Sequence, residues 1–257
     1  MGGDEWGYGP VGDQLLSDWC PTRIYDFLGF FVGLNRLPAH QTGLHVEPGF
    51  PKRKINMSRA GMMDDAPFFP QVAEGPSNVS AYWIITEDKV RLRVAHWPTE
   101  ETSKGTVFVF QGRTENIEKY GRAVDGLHKA GYVAFAVDWR GQGLSDRLTN
   151  DRMVGHVDRF SDYQKDVAAM LKATETLDLP KPWYLFGHSL GAGIGLRALS
   201  EGLPMSACAF SAPLWDINLS AFQRFAAWPL TWAAQLIGKS HAYAPGTRGE
   251  SYVLTTP

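Results

Sequence analysis

Cysteine is scarce in this chain of 257 residues: only Cys20 and Cys208 occur, far apart in sequence. Cys208 lies in the small, apolar segment 205–210 and reads as a buried hydrophobe. No disulfide framework is expected, and a reducing, cytoplasmic setting suits the composition. An excess of charge of one sign is missing as well. The formal net charge is −2, and no run of Lys or Arg forms the basic stripe that nucleic acid requires. No apolar run approaches the length of about 20 residues needed to cross a bilayer; the stretch 24–34 is too short and carries Asp26. The chain opens without a basic segment leading into a small-residue cleavage site, so no secretory signal is expected. His96, His128 and His156 show no metal-ligand spacing. The full Gly-x-x-x-x-Gly-Lys-Ser/Thr phosphate loop is absent. Gly191-Ala192-Gly193-Ile194-Gly195 places Leu196 where a dinucleotide fingerprint needs its last glycine. Neither a metal nor a nucleotide cofactor is expected.

What is present is a chain long enough for a full core, 44% hydrophobic and 20% charged. Residues 1–62 mix Gly, Pro, Trp and scattered charge without sustained periodicity, apart from a short helix expected at 24–34. They read as an irregular extension. One reading starts translation at Met62 or Met63 and leaves the extension outside the native fold; the other keeps it. From Met63 the chain is patterned. Segments 81–86 and 90–97 form an expected antiparallel hairpin, with Val90, Leu92 and Val94 facing inward and Arg91 and Arg93 on a wet face. The continuous apolar runs 106–110 and 132–137 predict parallel strands covered on both sides, with a helix over about 115–130 between them. A helix over 162–177, a strand at 183–186, a helix over 190–201 and a strand at 206–210 follow. This alternation predicts an α/β architecture with a mostly parallel sheet, flanking helices and right-handed crossovers over a core of 63–212. Residues 213–257 break the pattern and read as the start of a helical cap. Two short helices, 219–228 and 230–237, are expected there, separated at Pro229.

Gly187-His188-Ser189-Leu190-Gly191 sits between the strand at 183–186 and the helix at 190–201. A strand that reverses sharply into a helix forces the serine into strained dihedrals and holds its hydroxyl proud of the sheet, provided small residues flank it. The amide of Leu190 then lies at a helix N-terminus, where negative charge is favoured. After the first parallel strand, Gly112 lets the loop turn tightly, so the Arg113 N–H is the expected second donor of an oxyanion hole. The alternative readings are a Gly-rich turn and an ordinary strand-to-helix loop. Asp138 and Arg140 are expected to fix loops rather than to act as a base, because they precede the serine. His188 is expected to point away from the nucleophile.

The set Phe110-Gln111-Gly112-Arg113-Thr114-Glu115-Asn116 with Tyr120, Asp138-x-Arg140-Gly141-x-Gly143-x-Ser145 and Gly187-His188-Ser189-Leu190-Gly191 resembles α/β-hydrolases. The resemblance is to the lysophospholipase, monoacylglycerol lipase and serine aminopeptidase group. It covers roughly residues 64–257. Gln111 and Asn116 stand where that group usually has histidines. The resemblance implies hydrolysis of a small lipid-like carboxylic ester through an acyl-enzyme on Ser189, with Leu190 and Arg113 giving the oxyanion-hole amides. The apolar face of the cap has two readings: a surface that receives an acyl chain and touches a membrane transiently, or the cap's own packing face. Family order places the triad acid beyond the cap and the histidine after the last strand. The sequence reaches Pro257 in or just past the cap, with His241 reading as an exposed loop residue. The expectation is therefore a C-terminally truncated hydrolase that lacks its final strands, its acid and its base. A serine aminopeptidase or amide hydrolase on the same scaffold, and a catalytically defective binding protein, remain alternatives. Acyl length, head group and oligomeric state are not legible.

Overall fold

The computed structural model describes residues 63–99, 102–152, 154–216, 220–239 and 242; the side chains of 222–224 and 228 are outside that description. The expected extension 1–62 with its helix at 24–34, Cys20 and the loop assignment of His241 lie outside the described residues.

One six-stranded sheet organises the described residues, in the order β1-β2-β4-β3-β5-β6. Strands β1 (Ser80–Ile85) and β2 (Arg91–Trp97) form the antiparallel hairpin, and β2 is also antiparallel to β4 (Val133–Asp138). Strands β3 (Thr106–Phe110), β4, β5 (Trp183–His188) and β6 (Ala207–Ser211) run parallel. Every residue of β3 and β4 is buried, as their unbroken apolar runs require when both faces are covered. Phe108, Phe110, Phe135 and Val137 join one core with Tyr163, Val167 and Met170 of helix α3 (Tyr163–Thr176) and with Leu190, Ile194 and Ala198 of helix α4 (Leu190–Ser200). Strand alternation turns Val107, Val109, Ala134 and Ala136 to the opposite face. Helix α2 (Gly121–Lys129) follows the 3₁₀ turn Ile117–Tyr120 and buries Val124 and Leu127. The one-turn helix α1 (Pro70–Ala73) precedes the sheet.

Two expectations change. Arg93 is not on a wet face: it is 1% exposed. The β2–β4 register sets it opposite Asp138, and the attraction of two buried carboxylates overrides the alternation pattern. The break at Pro229 is also absent, because one helix, α5 (Ala221–Leu236), runs through it. A proline removes a single i→i−4 bond, and the turns on both sides carry the rest. The Thr231 hydroxyl also donates to Ala227 O at 2.8 Å.

His96 on β2 stacks against Tyr82 at 5.9 Å, and burial lowers its pKa from 6.5 to about 4. The unfolded chain therefore takes up this proton first as pH falls. The contribution of the neutral imidazole to stability is complete above about 6.5 and is lost as pH falls toward 4, by up to about 3 kcal/mol. Asp166 works in the opposite sense, since burial raises its carboxyl to about 6 and stability is lost as pH rises through that value. Urea unfolding of the wild type and of His96→Phe isolates the histidine. The variant is expected to lose less stability between pH 7 and 4.5, and parallel pH profiles for the two proteins would contradict this.

Candidate active site

Ser189 stands at the junction of β5 and α4 with φ 49° and ψ −116°, a backbone conformation that costs a non-glycine residue about 1–3 kcal/mol. The surroundings hold it there. Its N–H donates to Ser211 O at 3.0 Å, at the end of β6. Its carbonyl accepts from Leu214 N at 3.1 Å and from Ala192 N at 3.1 Å. Both flanking glycines are sterically required. A Cβ on Gly187 would lie 2.8 Å from Ala192 Cα, and one on Gly191 would lie 2.1 Å from Phe110 O and 2.6 Å from Gln111 O. The first turn of α4 is thus pressed against the end of β3.

That strand end carries the second half of the site. Gly112 N–H donates to Glu115 Oε2 at 2.7 Å, and Tyr120 Oη donates to the same oxygen at 2.5 Å. Lys119 pairs with Glu115 Oε1. Burial works to raise the Glu115 carboxyl, but these donors outweigh it and hold it below its ordinary value. Trp139 Nε1 donates to Gln111 O at 2.9 Å, and Thr114 N–H, on a residue with φ 61°, donates to Gln142 Oε1. The Arg113 and Leu190 N–H groups have no acceptor among the described residues. His188 turns toward the β3 loop, with Nε2 3.8 Å from Glu115 Oε1.

Beneath the loop lies a buried ionic network. Arg93 Nε donates to Asp138 Oδ2 at 2.8 Å, and its two terminal nitrogens reach Glu118 at 2.7 and 2.8 Å. Asp138, 0% exposed, also accepts from the Ile117 and Leu144 amides at 2.9 and 2.8 Å and from Gln111 Nε2 at 3.3 Å. Burial pushes the Asp138 carboxyl up, against the pull of Arg93 and of the Leu144 amide. A parallel pair joins Arg140 to Asp166 at 2.8 Å and to Asp88 at 2.8 Å. Asp138 and Arg140 therefore fix loops, as their position before the serine indicated. Glu115, Glu118 and Gln142 escaped the sequence reading; the signal for Glu115 was its place in the motif after β3.

No hydrogen bond to the Ser189 hydroxyl is present among the described residues, and His96, His128, His156 and His188 bond elsewhere or not at all to it. No group of three or more His, Cys, Asp or Glu is placed to hold a metal ion among the described residues, and none of the described helices is long and apolar enough to cross a membrane. Ser189, half-buried, and the Leu190 amide follow the C-terminal end of β5, and the Arg113 amide follows the C-terminal end of the neighbouring parallel strand β3.

Gly191→Ala tests the contact that joins the two halves. The added methyl must push the backbones apart by roughly 1 Å, a displacement that costs a reacting geometry about 10²-fold. Labelling of Ser189 by a fluorophosphonate is expected to slow by that factor; an unchanged rate would show that the α4–β3 contact does not shape the site.

Known proteins bear out this architecture. The chain is 34% identical over 145 residues to lysophospholipase L2 of Escherichia coli, covering 55% of this chain and 42% of that protein. It is 31% identical over 121 residues to monoglyceride lipase of Rattus norvegicus, covering 46% and 37%. The matched stretch thus spans less than half the length of these relatives. Among solved structures, a carboxyl esterase from Bacillus coagulans superposes with a TM-score of 0.53 at 17% identity, covering 66% of this chain and 54% of that one. An α/β hydrolase from Penicillium sp. sh18 gives 0.51 at 19%, covering 62% and 55%. Both show the α/β-hydrolase fold. The family described as serine aminopeptidase, S33, matches residues 101–252, more than half of the sequence and the whole of the elbow and both loops. The chain belongs to the serine aminopeptidase S33 family of α/β hydrolases.

Proposed function

We propose that this protein hydrolyses carboxylic esters of lipid-like substrates, of the lysophospholipid or monoacylglycerol kind, through an acyl-enzyme on Ser189. The single observation that carries the reading is the strained serine at the β5–α4 junction, with Gly191 packed on the strand end that leads to Arg113. Ser189 Oγ attacks the acyl carbonyl. The oxyanion that forms is met by the Leu190 and Arg113 N–H groups, and preorganised donors of this kind are worth about 10²–10³ each in rate. The alcohol leaves, and water releases the acid from the serine. A serine needs a base to take its proton, and the base needs an orienting acid. Both are supplied from outside the described residues, so turnover depends on parts of the protein beyond the elbow and its two loops. Helix α5, the described helix within 213–257, is read as the start of a cap. Phe225, Leu230, Trp232 and Leu236 of α5 are exposed there and suit an acyl chain or transient contact with a membrane surface.

The experiment is to treat the protein with a fluorophosphonate, locate the adduct by mass spectrometry, and compare hydrolysis of a monoacylglycerol with that of an aminoacyl arylamide. An adduct on Ser189 and preference for the ester are expected. A preference for the arylamide would favour the amide-hydrolase reading, which the family name supports. Absence of any adduct would favour a binding protein that keeps the elbow without its chemistry.

A further inference from the structure

Three successive peptide units lead from Gln111 to Thr114, and the two outer ones are bonded at both ends. In the first, Trp139 Nε1 donates to Gln111 O at 2.9 Å and Gly112 N–H donates to Glu115 Oε2 at 2.7 Å. In the third, the Thr114 hydroxyl donates to Arg113 O at 2.6 Å and Thr114 N–H donates to Gln142 Oε1. The middle unit, which carries the Arg113 N–H, has no hydrogen bond among the described residues. A trans peptide spans about 3.8 Å between its Cα atoms, so fixing the outer units fixes both ends of the middle one and sets where the Arg113 nitrogen stands.

Only one of those four bonds ends on an ionised group. Glu115 is 9% exposed, and burial works to raise its carboxyl, but Lys119, Tyr120 and the Gly112 amide hold it below its ordinary value. A charge-assisted bond is about twice as strong as a neutral one. Strength matters at Gly112 because glycine restrains its own dihedrals least. No side chain fits there: a Cβ would lie 2.8 Å from Glu115 Oε2 and 3.1 Å from His188 Cδ2. The same carboxylate faces the elbow, with Oε1 3.8 Å from Nε2 of His188, which precedes Ser189 and Leu190. The backbone of Glu115 is tied as well, since Gln111 Nε2 donates to its carbonyl at 3.2 Å.

We propose that Glu115 is a positioning residue of the oxyanion hole: its carboxylate fixes Gly112 and thereby sets the Arg113 N–H beside that of Leu190. This rests on the ester-hydrolase reading above. Glu115 acts through the Gly112 backbone and takes no part in the bonds that are made or broken.

The test compares the full wild-type protein with Glu115→Ala and Glu115→Gln on a monoacylglycerol and its thiono analogue, in which C=S replaces C=O. Sulfur accepts hydrogen bonds weakly, so the thionoester draws little on the hole. In Glu115→Ala, kcat for the oxygen ester is expected to fall about 10²-fold with KM little changed. The ratio of kcat/KM for the ester to that for the thionoester should fall about tenfold or more. Glu115→Gln keeps the volume and one oxygen within reach of the Gly112 N–H. It should give a smaller loss with the same selectivity, and it carries the comparison if the alanine variant does not fold. Hydrogen exchange at the Gly112 amide, read by NMR, should speed about tenfold or more in Glu115→Ala and less in Glu115→Gln, as for a lost bond to a charged acceptor. A glutamate that only stabilises the fold would lower both esters by one factor. That result, or an unchanged Gly112 exchange rate, would overturn the proposal. Faster Gly112 exchange in the variants, with no Ser189-dependent hydrolysis by wild type, would keep Glu115 as the group that fixes the loop and reject the hydrolase reading.

Discussion

Ser189→Ala is expected to abolish ester hydrolysis and fluorophosphonate labelling of the full protein, a loss of about 10³-fold or more in kcat. The hydroxyl is the only part of the residue removed, and alanine keeps the backbone at φ 49°, so the fold should be unaffected. Ser189→Gly separates strain from chemistry. Glycine adopts this conformation without penalty, and relief of the strain, less the added freedom of the unfolded chain, should raise stability by about 1 kcal/mol while activity is lost. Kinetics and urea unfolding on the same three proteins check both statements. Hydrolysis that survives in Ser189→Ala would remove the serine from the mechanism; an Ala and a Gly variant of equal stability would limit the stored strain to what the freer unfolded chain costs, about 1 kcal/mol or less.

Arg93→Ala is expected to destabilise the protein by about 3–5 kcal/mol, which is a large share of the 5–15 kcal/mol typical of a folded domain. The cause is not the lost attraction as such. Asp138 and Glu118, 0% and 4% exposed, would keep their charges in a low-dielectric interior without a cation. Because Asp138 also holds the Ile117 and Leu144 amides, the loop that leads into the site should loosen with it. Pairing Arg93→Ala with Glu118→Gln removes one of the stranded charges, and the double variant should recover about 0.5–3 kcal/mol relative to additivity. Denaturant unfolding measures both, and a single-variant loss below about 1 kcal/mol would show that water reaches the network.

Much of this was legible in advance because it depends on short-range pattern. The unbroken runs of β3 and β4, the glycines around Ser189 and the alternation of strand and helix each follow from neighbours a few residues apart. Arg93 was misplaced for the opposite reason: its partners Asp138 and Glu118 are 45 and 25 residues away, and a period-two pattern carries no information about them. Pro229 was taken for a break because local propensity disfavours it, whereas a long helix with bonded turns on each side absorbs one missing donor. His188 was expected to point away from the nucleophile. The structure shows what it faces instead: Glu115, on the loop after β3, which the pairing of β3 with β5 brings close.

The sequence by itself determined that a serine would stand between a buried strand and a helix, and that an α/β sheet would carry it. Those outcomes follow from steric rules and apolar periodicity acting within single segments. The tertiary structure alone decided which groups surround that serine. It joined β3 to α4 through a contact that admits no side chain on Gly191, buried Arg93 between two carboxylates under the loop, and left Arg113 exposed without a counter-charge among the described residues. Such pairings are made between residues distant in the chain, where desolvation and close packing, rather than local propensity, choose the partner.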